Sequence, residues 1–239
     1  GSGKSTTLYA TLGDVAKPEI NIITVEDPVE FRMRGINQVQ VNNKAGMTFA
    51  AALRSILRAD PDVVLIGEIR DQETANIAIE ASLTGHLVLS TLHTNDAPSA
   101  VTRLTEMGVE PFLLSSSLAA VMAQRLARRL CKKCKRQDTA TEAELRTLGV
   151  PHMPDTPLPT IWRPVGCREC ANTGYSGRVA IQQVMGVDST MEDLIARGAT
   201  SIDIDKAAKE QGMTTLRKDG WQKALQGITS VEEVLRVTV

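Results

Sequence analysis

Residues 63–71 read Val-Val-Leu-Ile-Gly-Glu-Ile-Arg-Asp, entered through Asp60-Pro61 and followed by a run with helical spacing. Val63 to Gly67 is too short and too rich in branched side chains for a helix, and a turn bounds it, so it predicts a strand buried on both faces. Outward toward the C-terminus, Gln72 to Leu83 predicts a helix and Leu87 to Leu92 (LVLSTL) a second buried strand. Toward the N-terminus, Thr48 to Ala59 predicts a helix behind a Thr cap, Ile20 to Val25 a strand and Ser5 to Val15 a helix. Strands that alternate with helices and are apolar throughout predict an α/β fold with a parallel sheet. Phe31 to Val41 alternates around Gly35 and reads as a β-hairpin, while Pro98 to Met107 and Pro111 to Leu130 read as helices.

The 239 residues are 42% hydrophobic and 23% charged, enough to bury a sizeable core, and they carry a formal net charge of -1. That balance gives no broad positive field, so wrapping nucleic acid is disfavoured and protein partners are expected. No apolar run approaches the roughly 20 residues of a membrane-spanning helix, and no secretory leader pattern is present, so membrane association is expected only through other proteins. Between Lys132 and Pro164 the composition turns charged, Thr-rich and Pro-rich, and beyond it Gly177 to Val184 predicts a strand. The tail from Ser189 to Val237 reads as helical, broken at Gly198, Gly212 and Gly227. The expected division is a core over 1–130, a cysteine element over 131–175 and a mostly helical region over 176–239.

Gly1-Ser2-Gly3-Lys4-Ser5-Thr6 matches the second half of a phosphate-binding P-loop. Glycines there let backbone N–H groups turn toward phosphate oxygens, and the helix that follows adds its positive end. Lys4 would reach the β and γ phosphates, and the Ser5 hydroxyl would ligate Mg²⁺. The alternative, a Gly/Ser linker, does not account for a Lys-Ser-Thr-Thr start to an apolar helix. The first glycine of the pattern and its strand are expected to precede residue 1. Glu68, an acid at the carboxyl end of a strand, is placed to manage Mg²⁺ or attacking water. Glu26-Asp27-Pro28-Val29-Glu30 ends the neighbouring strand, and spacing alone does not rank Glu26, Glu30 and Glu68 as general base. His86 and His93 flank the LVLSTL strand, and His93 sits with Thr91, Thr94, Asn95 and Asp96 in a polar turn suited to sensing a γ-phosphate.

The run from GSGKSTTLY through TVEDPVEF, VVLIGEIRD and GHLVLSTLHTNDA, within residues 1–97, resembles the traffic ATPases of type II secretion and type IV pilus assembly. The resemblance implies a RecA-like ATPase domain that hydrolyses ATP in a ring-shaped homo-hexamer, cytoplasmic and at the inner face of the membrane, pushing on an inner-membrane platform protein. It implies Glu30 as the catalytic glutamate of the Asp box, Glu68 as the Walker B glutamate that supports magnesium through water, and His86 and His93 as the His-box pair. A nucleic-acid translocase on the same fold is the alternative function, though aromatics, on which such channels stack bases, are only 3% of the chain. A zinc scaffold with a P-loop relic is a third, opposed by the intact Lys4, Ser5, Glu30 and Glu68.

Cys131-Lys-Lys-Cys134 and Cys167-Arg-Glu-Cys170 are two thiolate pairs with zinc spacing. Two such loops complete a tetrahedron about one Zn²⁺, and residues 135–166 between them must form an excursion that includes a helix over Glu142 to Leu148. Redox-active thiols are the alternative. Within the resembled family, secretion and pilus-extension motors carry this element and retraction motors lack it, which implies an assembly motor.

Overall fold

The computed structural model describes residues 1–153 and 155–238. Helix α1 (Lys4–Val15) leads to β1 (Ile22–Glu26), β2 (Asn37–Gln40), α2 (Phe49–Ile56), β3 (Val63–Ile66), α3 (Gln72–Leu83) and β4 (Leu87–Ser90). The four strands form one parallel sheet in the order β2-β1-β3-β4. Every residue of β1 and β3 is buried, as continuous apolar runs in a covered parallel sheet require, whereas the outer strands β2 and β4 keep exposed positions. Tyr9 and Leu12 of α1 pack with Ile22, Val63 and Leu65. Because a strand's side chains alternate, Thr24 and Glu26 share the face of Ile22 and lie toward that helix. Thr48 caps α2, accepting from the Ala51 N–H at 3.2 Å, and Asp71 caps α3, accepting from the Thr74 N–H at 2.8 Å.

The hairpin expected over Phe31 to Val41 is not formed. Asn37–Gln40 instead pairs in parallel with β1, from Ile23 opposite Asn37 to Glu26 opposite Gln40. Alternation specifies a half-exposed strand but not its direction, and here Gln38 reverses the connection. Its side chain accepts from the Met33 N–H at 2.8 Å and donates to the Phe31 carbonyl at 3.2 Å.

Helices α4 (Pro98–Glu106) and α5 (Pro111–Ser117) follow, and then the second expectation fails: Ala120–Leu130 is strand β5, not the continuation of a helix. Ser115, Ser116 and Ser117 each turn a hydroxyl onto a carbonyl of Phe112 or Leu114, the local competition that ends helices. Beyond them β5 pairs with the distant strand β8, and long-range pairing overrides helical propensity.

Strand β6 (Arg136–Thr139), helix α6 (Glu142–Leu148) and strand β7 (Thr160–Arg163) make the excursion between the cysteine pairs, with β6 and β7 antiparallel. Arg163 holds it together, bonding Asp138 of β6 at 3.0 Å and both carboxylate oxygens of Glu144 in α6. Strand β8 (Tyr175–Gly186) and helices α7 (Ser189–Ala196), α8 (Ser201–Glu210), α9 (Leu216–Leu225) and α10 (Val231–Val237) complete the chain. The chain divides into two compact units, one of residues 4–121 and 185–210, the other of residues 1–3, 122–184 and 211–239. The cut crosses β5 and β8, and α7 and α8 pack on α5 and α4 within the sheet-bearing unit. The second unit has its own core, built on Ala127, Leu145, Ile161, Ile181, Trp221 and Val234. Gly227 there has φ +64 and lies so close to Trp162 that a Cβ would come within 2.6 Å of the ring. No helix among the described residues is long and apolar enough to cross a membrane.

A buried carboxylate anchors β5 to α10. Glu233, 1% exposed, accepts from the Arg128 backbone N–H and guanidinium, both at 2.7 Å, and from Arg236 at 2.8 and 2.7 Å. Burial alone would raise its pKa, but the Arg236 and Arg128 bonds outweigh that and bring it from 4.5 to about 2. A depressed folded-state pKa means stability that is present above the unfolded value and lost as acid protonates the group. Urea denaturation of Glu233→Gln is therefore expected to show a deficit of about 3 kcal/mol at neutral pH. The deficit should shrink as pH falls from 4.5 toward about 2.

Candidate functional site

Parallel pairing puts the carboxyl ends of β1, β3 and β4 at one edge of the sheet, the edge at which open α/β sheets bind ligands. In register there, Val25 lies opposite Ile66 and Ile66 opposite Ser90, so the next residues, Glu26, Gly67 and Thr91, emerge together. The Gly67 N–H donates to Val25 O at 2.8 Å, and the Thr91 hydroxyl donates to Gly67 O at 2.7 Å. A Cβ on Gly67 would lie 3.3 Å from the Glu26 Cα and the Val25 carbonyl, a tight contact that would require β1 to shift by a few tenths of an ångström.

Three acids stand at this edge in three different environments. Glu26 is 5% exposed, and its carboxyl oxygens collect the Tyr9 hydroxyl, the Thr24 hydroxyl at 2.5 Å and the Gln38 amide at 3.2 Å. Glu68, with its side chain 14% exposed, is ion-paired to Arg70 and lies 3.1 Å from His93 Nε2. Burial would raise the Glu68 pKa, but the bonds from Arg70 and His93 prevail and lower it. Glu30 is exposed, and its carboxylate has no ion-pair or hydrogen-bond partner among the described residues. Its backbone N–H does have one, the Tyr9 hydroxyl at 3.2 Å. Three donors engage Glu26, and Arg70 and His93 engage Glu68, whereas the Glu30 carboxylate has no such partner among the described residues.

The two histidines are separated. His93 follows β4 at the carboxyl edge and meets Glu68, whereas His86 precedes β4 at the other end, its Nδ1 2.8 Å from Ala81 O in the last turn of α3. Of the residues expected to bind phosphate, Gly3 takes φ +86, Gln124 donates to Ser2 O at 2.8 Å, and Lys4, Ser5 and Thr6 form the first turn of α1. Tyr9, Gln38 and Thr91 were not distinguished as site residues by sequence, and Thr24 is a structural partner of the buried Glu26. The only signal for Tyr9 was its place in the run that follows the P-loop.

The four cysteines converge within the second unit, all Sγ atoms within 4.8 Å of one another and none in a disulfide. Cys131 and Cys167 sulfurs are 3.9 Å apart, Cys134 and Cys170 3.8 Å, and Cys167 and Cys170 3.7 Å. A tetrahedron with metal–sulfur bonds of about 2.3 Å has sulfur–sulfur edges of about 3.8 Å. Backbone N–H groups of Gly166, Cys167 and Gly174 point at these sulfurs at 3.2 to 3.3 Å. Burial pushes the Cys134 thiol up to about 11; on Cys170 it acts the same way, yet the Cys167 and Gly174 amides bring that thiol down to about 6. Such donors stabilise thiolate ligands, and the set fits a tetrahedral thiophilic ion.

The sequence model of the family described as type II/IV secretion system protein matches residues 1–236. The chain is 55% identical over 238 residues to type II secretion system protein E of Pseudomonas aeruginosa, covering 100% of this chain and 47% of the relative. It is 51% identical over 239 residues to the type IV pilus assembly ATPase PilB of Thermus thermophilus, covering 100% of this chain and 27% of that protein. Among solved structures, the pilus retraction motor PilT with bound ADP matches with a TM-score of 0.72 at 26% identity, over 99% of this chain and 58% of the other. The chain thus spans less than half the length of these two curated relatives.

The unlike environments of Glu26 and Glu30 make a test of stability. Glu26→Gln replaces an acceptor with a donor among buried donors and is expected to cost about 2 kcal/mol. Glu30→Gln, at an exposed and unpaired position, should stay within about 0.5 kcal/mol. Urea titration of both variants measures the difference.

Proposed function

The chain belongs to the type II/IV secretion system protein family, and on that premise we propose that it is the ATP-hydrolysing core of a hexameric motor that powers type II protein secretion or type IV pilus assembly. The observation that carries the reading is the sheet register that brings Glu26, Glu68 and His93 to one edge, with the exposed Glu30 in the loop beyond Glu26. Lys4 and the amides of Gly1–Thr6 hold the ATP phosphates, and Ser5 supplies a hydroxyl to Mg²⁺. When bound, that ion neutralises developing charge on the phosphates. Glu68 already bonds Arg70 and His93, which suits a carboxylate that supports the ion through water rather than as a direct ligand. Glu30 orients and deprotonates the attacking water. His93, hydrogen-bonded to Glu68, senses γ-phosphate loss, and His86, at the far end of β4, communicates through the end of α3.

Residues 1–130 supply the motor chemistry, 131–175 a structural zinc element and 176–239 a mostly helical region that opens on β8. Cys131, Cys134, Cys167 and Cys170 hold Zn²⁺, which cross-links the two loops. This element favours an assembly motor over a retraction motor. The intact protein works in the cytoplasm as a homo-hexamer at the inner face of the membrane, against an inner-membrane platform protein and without direct contact with nucleic acid.

Metal analysis of protein purified without chelator is expected to find about one zinc per chain. Cys167→Ser should lose that zinc and become more protease-sensitive, and zinc-free wild-type protein of full stability would refute the site. In the full-length hexamer, Glu30→Gln should lower turnover by roughly 10²- to 10⁴-fold while ATP binding persists. Glu68→Gln should weaken Mg²⁺-dependent ATP binding as well as turnover. Normal hydrolysis by the Glu30 variant beside tight binding without turnover in the Glu68 variant would reverse the two roles.

A further inference from the structure

Three backbone bonds fix the loop that carries Glu30. The Val29 N–H donates to Gln40 Oε1 at 3.3 Å, the Glu30 N–H to the Tyr9 hydroxyl at 3.2 Å, and the Phe31 carbonyl accepts from Gln38 Nε2 at 3.2 Å. Two of these holds come from β2, and the third comes from α1, the helix whose first residue is Lys4. Tyr9 lies one and a half turns along it, about 7.5 Å from Lys4 along the axis. Its ring is 4% exposed and meets the Phe31 ring edge-on at 4.4 Å between centroids.

We propose that Tyr9 is a positioning residue for hydrolysis: by donating its hydroxyl proton to Glu26 and accepting the Glu30 N–H, it sets the distance between the phosphate-binding end of α1 and the Glu30 carboxylate. This rests on the reading of Glu30 as the acid that handles water. One hydroxyl oxygen performs both tasks, since a phenol donates once and still accepts, and neither Phe nor any aliphatic residue can replace it. The donor role persists at working pH, because burial and the Glu26 bond push the phenol up to about 12. Glu26 in turn is held by Thr24 and Gln38, so the hydroxyl has one orientation available. Among the described residues the Glu30 carboxylate has no bonding partner, so its place is set through its main chain.

The test compares Tyr9→Phe, Thr24→Val, Glu30→Gln and Tyr9→Phe/Glu30→Gln in the full-length protein, by ATP affinity and steady-state turnover. Thr24→Val removes another hydroxyl from Glu26 but leaves the Glu30 N–H in place, so it reports the effect of merely loosening the buried cluster. Tyr9→Phe is expected to lower kcat by roughly 10- to 100-fold, as small misplacements of a catalytic group do, with ATP affinity within about twofold. Thr24→Val should keep kcat within about twofold, and Tyr9→Phe should add nothing in the Glu30→Gln background. The proposal is overturned if Tyr9→Phe turns over normally, if Thr24→Val falls as far, or if Tyr9→Phe lowers kcat by the same factor in both backgrounds. Normal turnover in Glu30→Gln alone is a different failure, that of the Glu30 reading on which the proposal stands.

Discussion

The arrangement at the sheet edge depends on the satisfaction of one buried acid, Glu26. A carboxyl group removed from water costs several kcal/mol unless its oxygens are hydrogen-bonded. Glu26 meets that demand by gathering a hydroxyl from α1, one from β1 itself and an amide from β2. Two of these donors also act elsewhere: Tyr9 takes the Glu30 N–H, and Gln38 holds Met33 and Phe31. The need to pair one acid thus ties the helix that follows the P-loop to an edge strand and to the loop between them. Glu26 thereby serves as an anchor for the groups around it.

Most of the sheet was legible in the sequence because β1 and β3 are buried on both faces and therefore continuously apolar. The direction of β2 was not, since NQVQ alternates in either sense and the Gln38 bonds that hold the preceding loop have no sequence signature. β5 was misread for a related reason: Pro111 to Leu130 is apolar at helical spacing, and only the pairing with β8 makes its second half a strand. Glu142–Leu148 was read to the residue, because Thr141 and Glu144 form a capping box and Gly149 the left-handed end, signals that are wholly local.

The candidate residues divide in the same way. The cysteine spacing carried its own geometry, so the four sulfurs were expected together and are together. Among the acids, spacing left Glu26, Glu30 and Glu68 equivalent, because what separates them is burial and partnership. The family resemblance implied the two histidines as a pair, and the strand that runs between them puts His93 beside Glu68 and His86 beside the end of α3. Register along a strand, and not proximity in sequence, decides which groups can act together.

The central claim is that Glu26 anchors while Glu30 acts. It is tested most directly by a structure of the full-length protein with Mg²⁺, ADP and a planar fluoride mimic of the transferring phosphoryl group. The account predicts that a Glu30 oxygen lies about 3 Å from the water or ligand at the attacking position, with Glu26 still bonded to Tyr9, Thr24 and Gln38. A Glu26 or Glu68 oxygen on that attacking position, with Glu30 turned to solvent, would contradict it.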